Sequence, residues 1–349
     1  VRLLVTGANG FLGHVTTRLG LHRGHQVRVM VRKSSDTTRI DGLPVERAEG
    51  DIRDVDSMIR AMEGVEAVIH LAGISDWLEI QSAEMRASIV GGTENVVRAA
   101  LAAGKPRLVY ASSISAINAT AGPTIQNEET PCQLDLDDPA FVFVRTKREA
   151  EQVCLDAVKQ GLPAILTNPP ETFGPNDTGL ITSRNLINSY GQKPVLVCDG
   201  GVCVGYSEDV ASALVAAAEK GRPGERYIFG GENVTVRAIA EMIFTILGEP
   251  RAALRIPTWV LRTVTAVAVT THLPLPYNPL MVPFATRYWY FDNQKAVREL
   301  GVQFRGLAEA MRPAVEWIEN AGLFPGRPPK RALQHRFDPT VYAHLSHQT

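Results

Sequence analysis

The stretch TGANGFLG, residues 6–13, constrains this chain more than any other. It follows the apolar run RLLVTG (2–7) and opens a segment of helical spacing, FLGHVTTRLGLHRG (11–24). In that setting the three glycines have separate uses. Gly7 permits the tight turn, Gly10 lets the backbone approach a diphosphate, and Gly13 allows close helix–sheet packing. The helix start then offers free N–H groups and a partial positive charge to an anion. Gly7, Asn9, Gly10, Phe11, Leu12 and Gly13 are therefore candidate dinucleotide-binding residues. Three glycines alone say little, but three between a strand and a helix say much more.

Alternation continues through QVRVMVR (26–32), VDSMIRAMEG (55–64), EAVIHLAG (66–73), a long helix at 84–104, RLVYASS (107–113), a helix at 146–161 and PAILTNPP (163–170). Such spacing implies right-handed crossovers and an α/β, Rossmann-type doubly wound parallel sheet. Beyond about residue 175 prolines break the pattern, and helices recur at 207–221 and 236–248. The reading places a dinucleotide-binding domain at 1–175, with 204–231 returning to it. A smaller C-terminal substrate lobe takes 176–203 and 232–325, and a basic extension takes 326–349. The run TWVLRTVTAVAVT (258–270) is read as a helix lining a greasy pocket, with an ordinary core helix as the first alternative and membrane association as a minor one. It falls short of the roughly 20 apolar residues needed to cross a bilayer.

Lys+Arg (36) nearly balances Asp+Glu (37), so no nucleic-acid partner is expected. Neither is a membrane partner. The cysteines Cys132, Cys154, Cys198 and Cys203 form no CxxC pair, and no signal peptide is evident, which points to a reduced, cytoplasmic setting. The histidines show no metal-binding spacing, so no metal is expected. A monomer or a homodimer would fit equally.

At the end of the second strand stand Arg32, Lys33 and Ser34, where an acid would favour NAD. Two cations and a hydroxyl suit a 2′-phosphate, so NADPH/NADP is expected, with NADH as the alternative.

These motifs together resemble the extended, atypical short-chain dehydrogenase/reductases, the group that includes dihydroflavonol reductases, 3β-hydroxysteroid dehydrogenases and nucleotide-sugar epimerases. The resemblance spans about residues 2–324 and rests on TGANGFLG, GDIRD, HLAG, YASS, NPPETFGP, GERYIFGGENVTVRAIA and YWYFDNQKAVRELG. It implies that Asp51, with Ile52, meets the adenine. Leu71, Ala72 and Gly73 run beside the cofactor, and Pro169, Pro170 and Thr172 cradle the nicotinamide. It also implies that Ser113 hydrogen-bonds the substrate oxygen and that Lys147 binds the nicotinamide ribose.

Two further family positions are vacant. The tyrosine that exchanges a proton with substrate is replaced by Phe143, and the asparagine that supports the lysine by Ile89. Phenylalanine can neither give nor take a proton, a loss worth about 10²–10⁴-fold. The expectation is an active ketoreductase whose proton comes from Ser113, from water or, best, from the substrate. A phenol beside the ketone has tyrosine's acidity. Aromatic polyketides of the angucyclinone type, known from antibiotic biosynthesis, carry such groups. Trp77, Ser115, Phe143 and Tyr206 are placed at the substrate end with Ser113, and Glu171 is a candidate in proton traffic. Trp259, Tyr288, Trp289 and Tyr290 suit a flat aromatic ligand. The rivals are an inactive cofactor-binding scaffold, a phenylalanine engineered to trap a ligand, and an epimerase or dehydratase of nucleotide sugars.

Overall fold

The computed structural model describes residues 1–74, 82–275, 279 and 281–329. Trp77 and most of the basic C-terminal extension lie outside them.

The chain runs β1 (Arg2–Thr6), α1 (Phe11–His22), β2 (Gln26–Val31), β3 (Glu46–Glu49), α2 (Val55–Met62) and β4 (Ala67–His70). Next come α3 (Ala83–Arg86), a π-helical turn (Ala87–Gly91), α4 (Gly92–Ala102), β5 (Arg107–Ala111) and β6 (Ile125–Gln126). They are followed by α5 (Val142–Lys159), β7 (Ala164–Asn168), β8 (Glu171–Phe173), α6 (Ser183–Gly191) and β9 (Leu196–Cys198). Then follow β10 (Gly201–Tyr206), α7 (Ser207–Lys220), β11 (Arg226–Ile228), β12 (Glu232–Thr235) and α8 (Val236–Ile246). The chain continues through β13 (Leu254–Ile256), α9 (Thr258–Thr270), α10 (Met281–Ala285), β14 (Tyr288–Phe291), α11 (Gln294–Leu300) and α12 (Leu307–Asn320).

Among the described residues, seven parallel strands form one sheet in the order β11-β7-β5-β4-β1-β2-β3. Its central strands are buried on both faces by helices, which is why AVIH and AILTN carry apolar residues without alternation. One face packs Leu4, Leu108 and Leu166 against Met58 and Val96. The other packs Leu3, Ile69 and Val109 against Val15 and Leu214. A separate core under the lobe joins Phe173, Leu186, Phe244, Met311 and Ile318. Phe244 is fully buried there, so truncating it to alanine costs about 3–5 kcal/mol.

A second sheet, β12-β10-β14-β6 with β8 against β10, carries the lobe. α7 and β11 belong with the main sheet, whereas β10 belongs to the lobe sheet. The chain crosses between the two inside the 204–231 segment.

Two sequence readings change here. The helix bearing Lys147 begins at Val142, after a 3₁₀ turn at Pro139–Phe141. The Asp138 carboxylate accepts from the Ala140 N–H and caps that turn, a local signal the apolar spacing did not show. α9 is a helix, as read, but none of its residues lines the main crevice or the hollow past β2. It touches the body through Thr265 and Ala268 and turns Trp259, Val264, Val267 and Val269 to solvent.

Candidate active site

Parallel strands all end on one side of the sheet, and at the switch between β1 and β4 that side opens into a crevice. A cavity of ≈ 320 Å³ occupies it. One end is made by the glycine loop. Gly7 takes φ +70°, and a Cβ on Gly13 would stand 2.0 Å from the Gly7 carbonyl oxygen. Any side chain at Gly13 would push α1 off β1. Phe11 and Leu12 line the cavity beside these glycines, facing Leu71, Ala72 and Gly73 at the end of β4.

Arg39, which the motif gave no reason to pick, reaches this loop and donates to the Asn9 carbonyl at 3.1 Å. His14 donates to the Gly10 carbonyl, and burial holds its pKa down at about 4, so it stays neutral. Asn9 itself does not line the cavity.

A second, more open hollow lies past the end of β2. Arg32, Lys33, Ser34, Asp51 and Arg53 line it. Arg53 pairs with Asp51 at 2.7 Å and holds that carboxyl below its ordinary range. Ile52 lines neither space. It lies under Gly92, where a Cβ would come 2.7 Å from its Cδ1.

The other end of the main cavity gathers Ser113, Ser115, Phe143, Lys147, Pro169, Pro170 and Thr172. Phe143 and Lys147 are one turn apart on α5, so both face β5. The Lys147 Nζ donates to the Ala111 carbonyl at 3.2 Å and lies 5.9 Å from the Phe143 ring centre. Burial lowers its pKa to about 8, and Glu151 partly offsets that. Ser113 Oγ accepts from the Ser115 N–H at 3.2 Å and from the Ser115 hydroxyl at 2.9 Å. Its own hydrogen is thereby left for a third partner.

Ile89 falls in the π-helical turn and lines the cavity with an apolar surface. Nearby, the Thr93 hydroxyl donates to the Ile89 carbonyl at 2.6 Å.

Three supporting residues went unnoticed in the sequence. Asn168 Nδ2 donates to the Ser113 carbonyl at 2.7 Å and to Glu151 at 2.8 Å. Arg226 pairs with the same buried Glu151 at 2.8 Å. This network fixes the strand end under Ser113 and the helix turn after Lys147. Its members lie far apart in sequence, so no local pattern could reveal it.

Tyr110 also lines the cavity, but burial pushes its phenol well above the ordinary tyrosine value. Its hydroxyl feels Cys154 and Glu151 under the sheet. Glu171 lines the cavity too. Burial raises its pKa, and Asn185 donates to it at 3.3 Å.

Other expectations fail on placement. Tyr206 is buried at the end of β10 with its ring under the Arg305 guanidinium, 4.4 Å away, and does not reach the cavity. Trp289 and Phe284 line it, whereas Tyr288 and Tyr290 turn away and Trp259 is exposed.

Fold and crevice define a dinucleotide-dependent enzyme of the doubly wound class. Residues 3–230 match the NAD dependent epimerase/dehydratase family, and the chain belongs to that family. It is 32% identical to a putative dihydroflavonol 4-reductase of Synechocystis over 91% of this chain and 94% of that protein. It is 27% identical to the 4-hydroxy-2-methyl-3-oxo-4-farnesyl-3,4-dihydroquinoline-1-oxide ketoreductase of Stigmatella aurantiaca, over 86% of this chain and 91% of that one. The crystal structure of gox2253 superposes with a TM-score of 0.82 at 30% identity, covering 92% of this chain and 99% of that one. The protein is an NAD(P)-dependent oxidoreductase acting on a carbonyl or hydroxyl group. Among the described residues no helix is long and apolar enough to cross a membrane.

Proposed function

We propose that the protein is an NADPH-dependent ketoreductase for a flat, apolar ketone of the aromatic polyketide (angucyclinone) type, and that a substrate phenol supplies the proton. The observation that carries this reading is Phe143 within the cavity, one turn from Lys147 and across from Ser113. The same vacancy is similar to that of the tyrosine-less angucyclinone ketoreductase of simocyclinone biosynthesis.

The glycine loop fits a dinucleotide, because any Cβ at Gly13 would collide with backbone. A bound reduced nicotinamide supplies the hydride. Arg32 and Lys33 favour a 2′-phosphate, hence NADPH.

This chain's residues position and stabilise the substrate. Ser113 presents its hydroxyl to the ketone oxygen as negative charge grows there. Lys147 holds a cation nearby without a tyrosine to tune. Ile89, Phe143, Phe284 and Trp289 keep the cavity apolar, which suits a fused ring better than a sugar diphosphate. A hydroxyl beside the ketone then passes its proton to the new alkoxide and regains one from water. The name of the Stigmatella relative's substrate places a 4-hydroxy group next to a 3-oxo group, on a saturated carbon and so without a phenol's acidity. The four cysteines are unpaired, as a reducing cytoplasm would keep them.

The test is mass balance. Incubated with NADPH and a panel of such ketones, the protein should yield a product heavier by about two mass units, with NADPH consumed in step. Conversion of a nucleotide sugar with no net loss of NADPH would refute the reading.

A further inference from the structure

Helices at a protein surface normally hide their apolar stripe and show their polar one. α9 leaves much of its apolar surface uncovered. Thr265 and Ala268 are buried, while Trp259, Val264, Val267 and Val269 are more than half exposed. Leu273, just past its end, is 60% exposed. Among the described residues, half of the exposed large apolar side chains fall between 259 and 273. Such a concentration marks a surface that something covers.

The charge around it says what. From residue 250 to 291 the chain carries Arg251, Arg255, Arg262 and Arg287 and no acidic residue. Arg251 and Arg255 pair outward with Glu249 and Asp199. Among the described residues Arg262 and Arg287 form no ion pair; Arg262 donates to the Thr286 hydroxyl at 3.3 Å. Arg287 lies over the Phe141 ring with Asp138 near it, whereas Arg262 is exposed. Exposed valines and a tryptophan edged by an unpaired arginine match an anionic lipid surface, which offers apolar chains beneath phosphate. A second copy of the chain would bring the same arginines against each other.

We infer that α9 seats the protein on anionic membranes, with its apolar side chains entering the interface and the exposed Arg262 meeting lipid phosphate. This replaces the expectation of no membrane partner. The Arg262–Thr286 bond ties α9 to the end of α10, two residues from Phe284 in the cavity wall. α9 is thus linked to the segment that supplies Phe284 to the cavity wall.

The test needs no substrate, so it stands or falls apart from the catalytic reading. The full chain is sedimented with sucrose-loaded vesicles of phosphatidylcholine, with and without about 30% phosphatidylglycerol. Binding to the anionic vesicles should exceed binding to neutral ones by roughly tenfold and weaken with salt. The variants Trp259→Ser and Val267→Ser should lose most of it while keeping the circular dichroism spectrum and melting temperature of the native chain, which shows that they fold. Unaltered vesicle binding by both variants would overturn the proposal. So would an absence of vesicle binding, above all if the native chain is a dimer and Val267→Ser a monomer, since a second copy would then be the occupant.

Discussion

At the phosphate end of the cleft, nearly every position is constrained by backbone geometry. Gly7 needs a left-handed conformation, Gly13 has no room for a Cβ, and Gly10 donates its N–H to the Gly7 carbonyl at 2.9 Å. At the carbonyl end the constraints are side-chain chemistry, and two of the expected groups are gone. Ile89 and Phe143 fill their places with hydrocarbon, while Ser113 and Lys147 remain and are held by Asn168, Glu151 and Ala111. On the proposed reading the site keeps the serine and lysine that would orient the substrate and lacks the tyrosine that would deliver a proton. A site pruned in that way still lowers a barrier through orientation and charge stabilisation, provided the acid arrives with the substrate.

If this contrast is right, the largest loss should come from the phosphate end. Gly13→Val should weaken cofactor binding by about 100-fold or more, because the new Cβ meets the Gly7 carbonyl and α1 must move. Fluorescence titration with NADPH measures it, and circular dichroism separates it from unfolding.

Lys147→Ala should come next, with a loss of roughly 10–100-fold in kcat/KM. The pH profile gives the same residue a second test. Its folded pKa is about 8 against an ordinary 10.5, so the ammonium is lost as pH rises through about 8 and kcat/KM should fall there. The unfolded chain binds the extra proton between those values, so this group's contribution to stability rises with pH over the same window. Activity and stability should therefore part company above pH 8. A rate flat through that region would remove Lys147 from the positively charged role.

Arg32→Glu should shift preference from NADPH toward NADH by at least about tenfold, since a charge-assisted contact is worth roughly 1.5–3 kcal/mol. Equal affinity of the native protein for both cofactors would end the 2′-phosphate reading.

How much of this was legible in the sequence follows the same division. The glycine loop could be read because a local backbone demand leaves a local mark. Phe143 and Ile89 could be read as absences, because spacing from Lys147 and Thr93 locates the vacant positions. The Asn168–Glu151–Arg226 network could not, since its members come from β7, α5 and β11 and meet only after folding. Arg39 lies 30 residues from the loop it supports. β3 escaped notice because ERAE, an edge strand, carries no apolar alternation. α9 is the helix its apolar run predicts, but it lines neither the main cavity nor the hollow past β2. Hydrophobicity shows that a face wants covering, and tertiary structure alone shows whether the chain itself covers it.

Phe143→Tyr should have the smallest effect of these changes, within about threefold on a ketone bearing its own neighbouring hydroxyl, because the proton route there is already complete. The most direct measurement compares that hydroxy ketone with its methyl ether in the native protein. Methylation removes the donor and little else. The account predicts that the ether binds with nearly unchanged affinity and is reduced about 10²–10⁴-fold more slowly, with partial rescue in Phe143→Tyr. Equal rates for ether and free hydroxyl would place the proton source in the protein or in water and contradict the account.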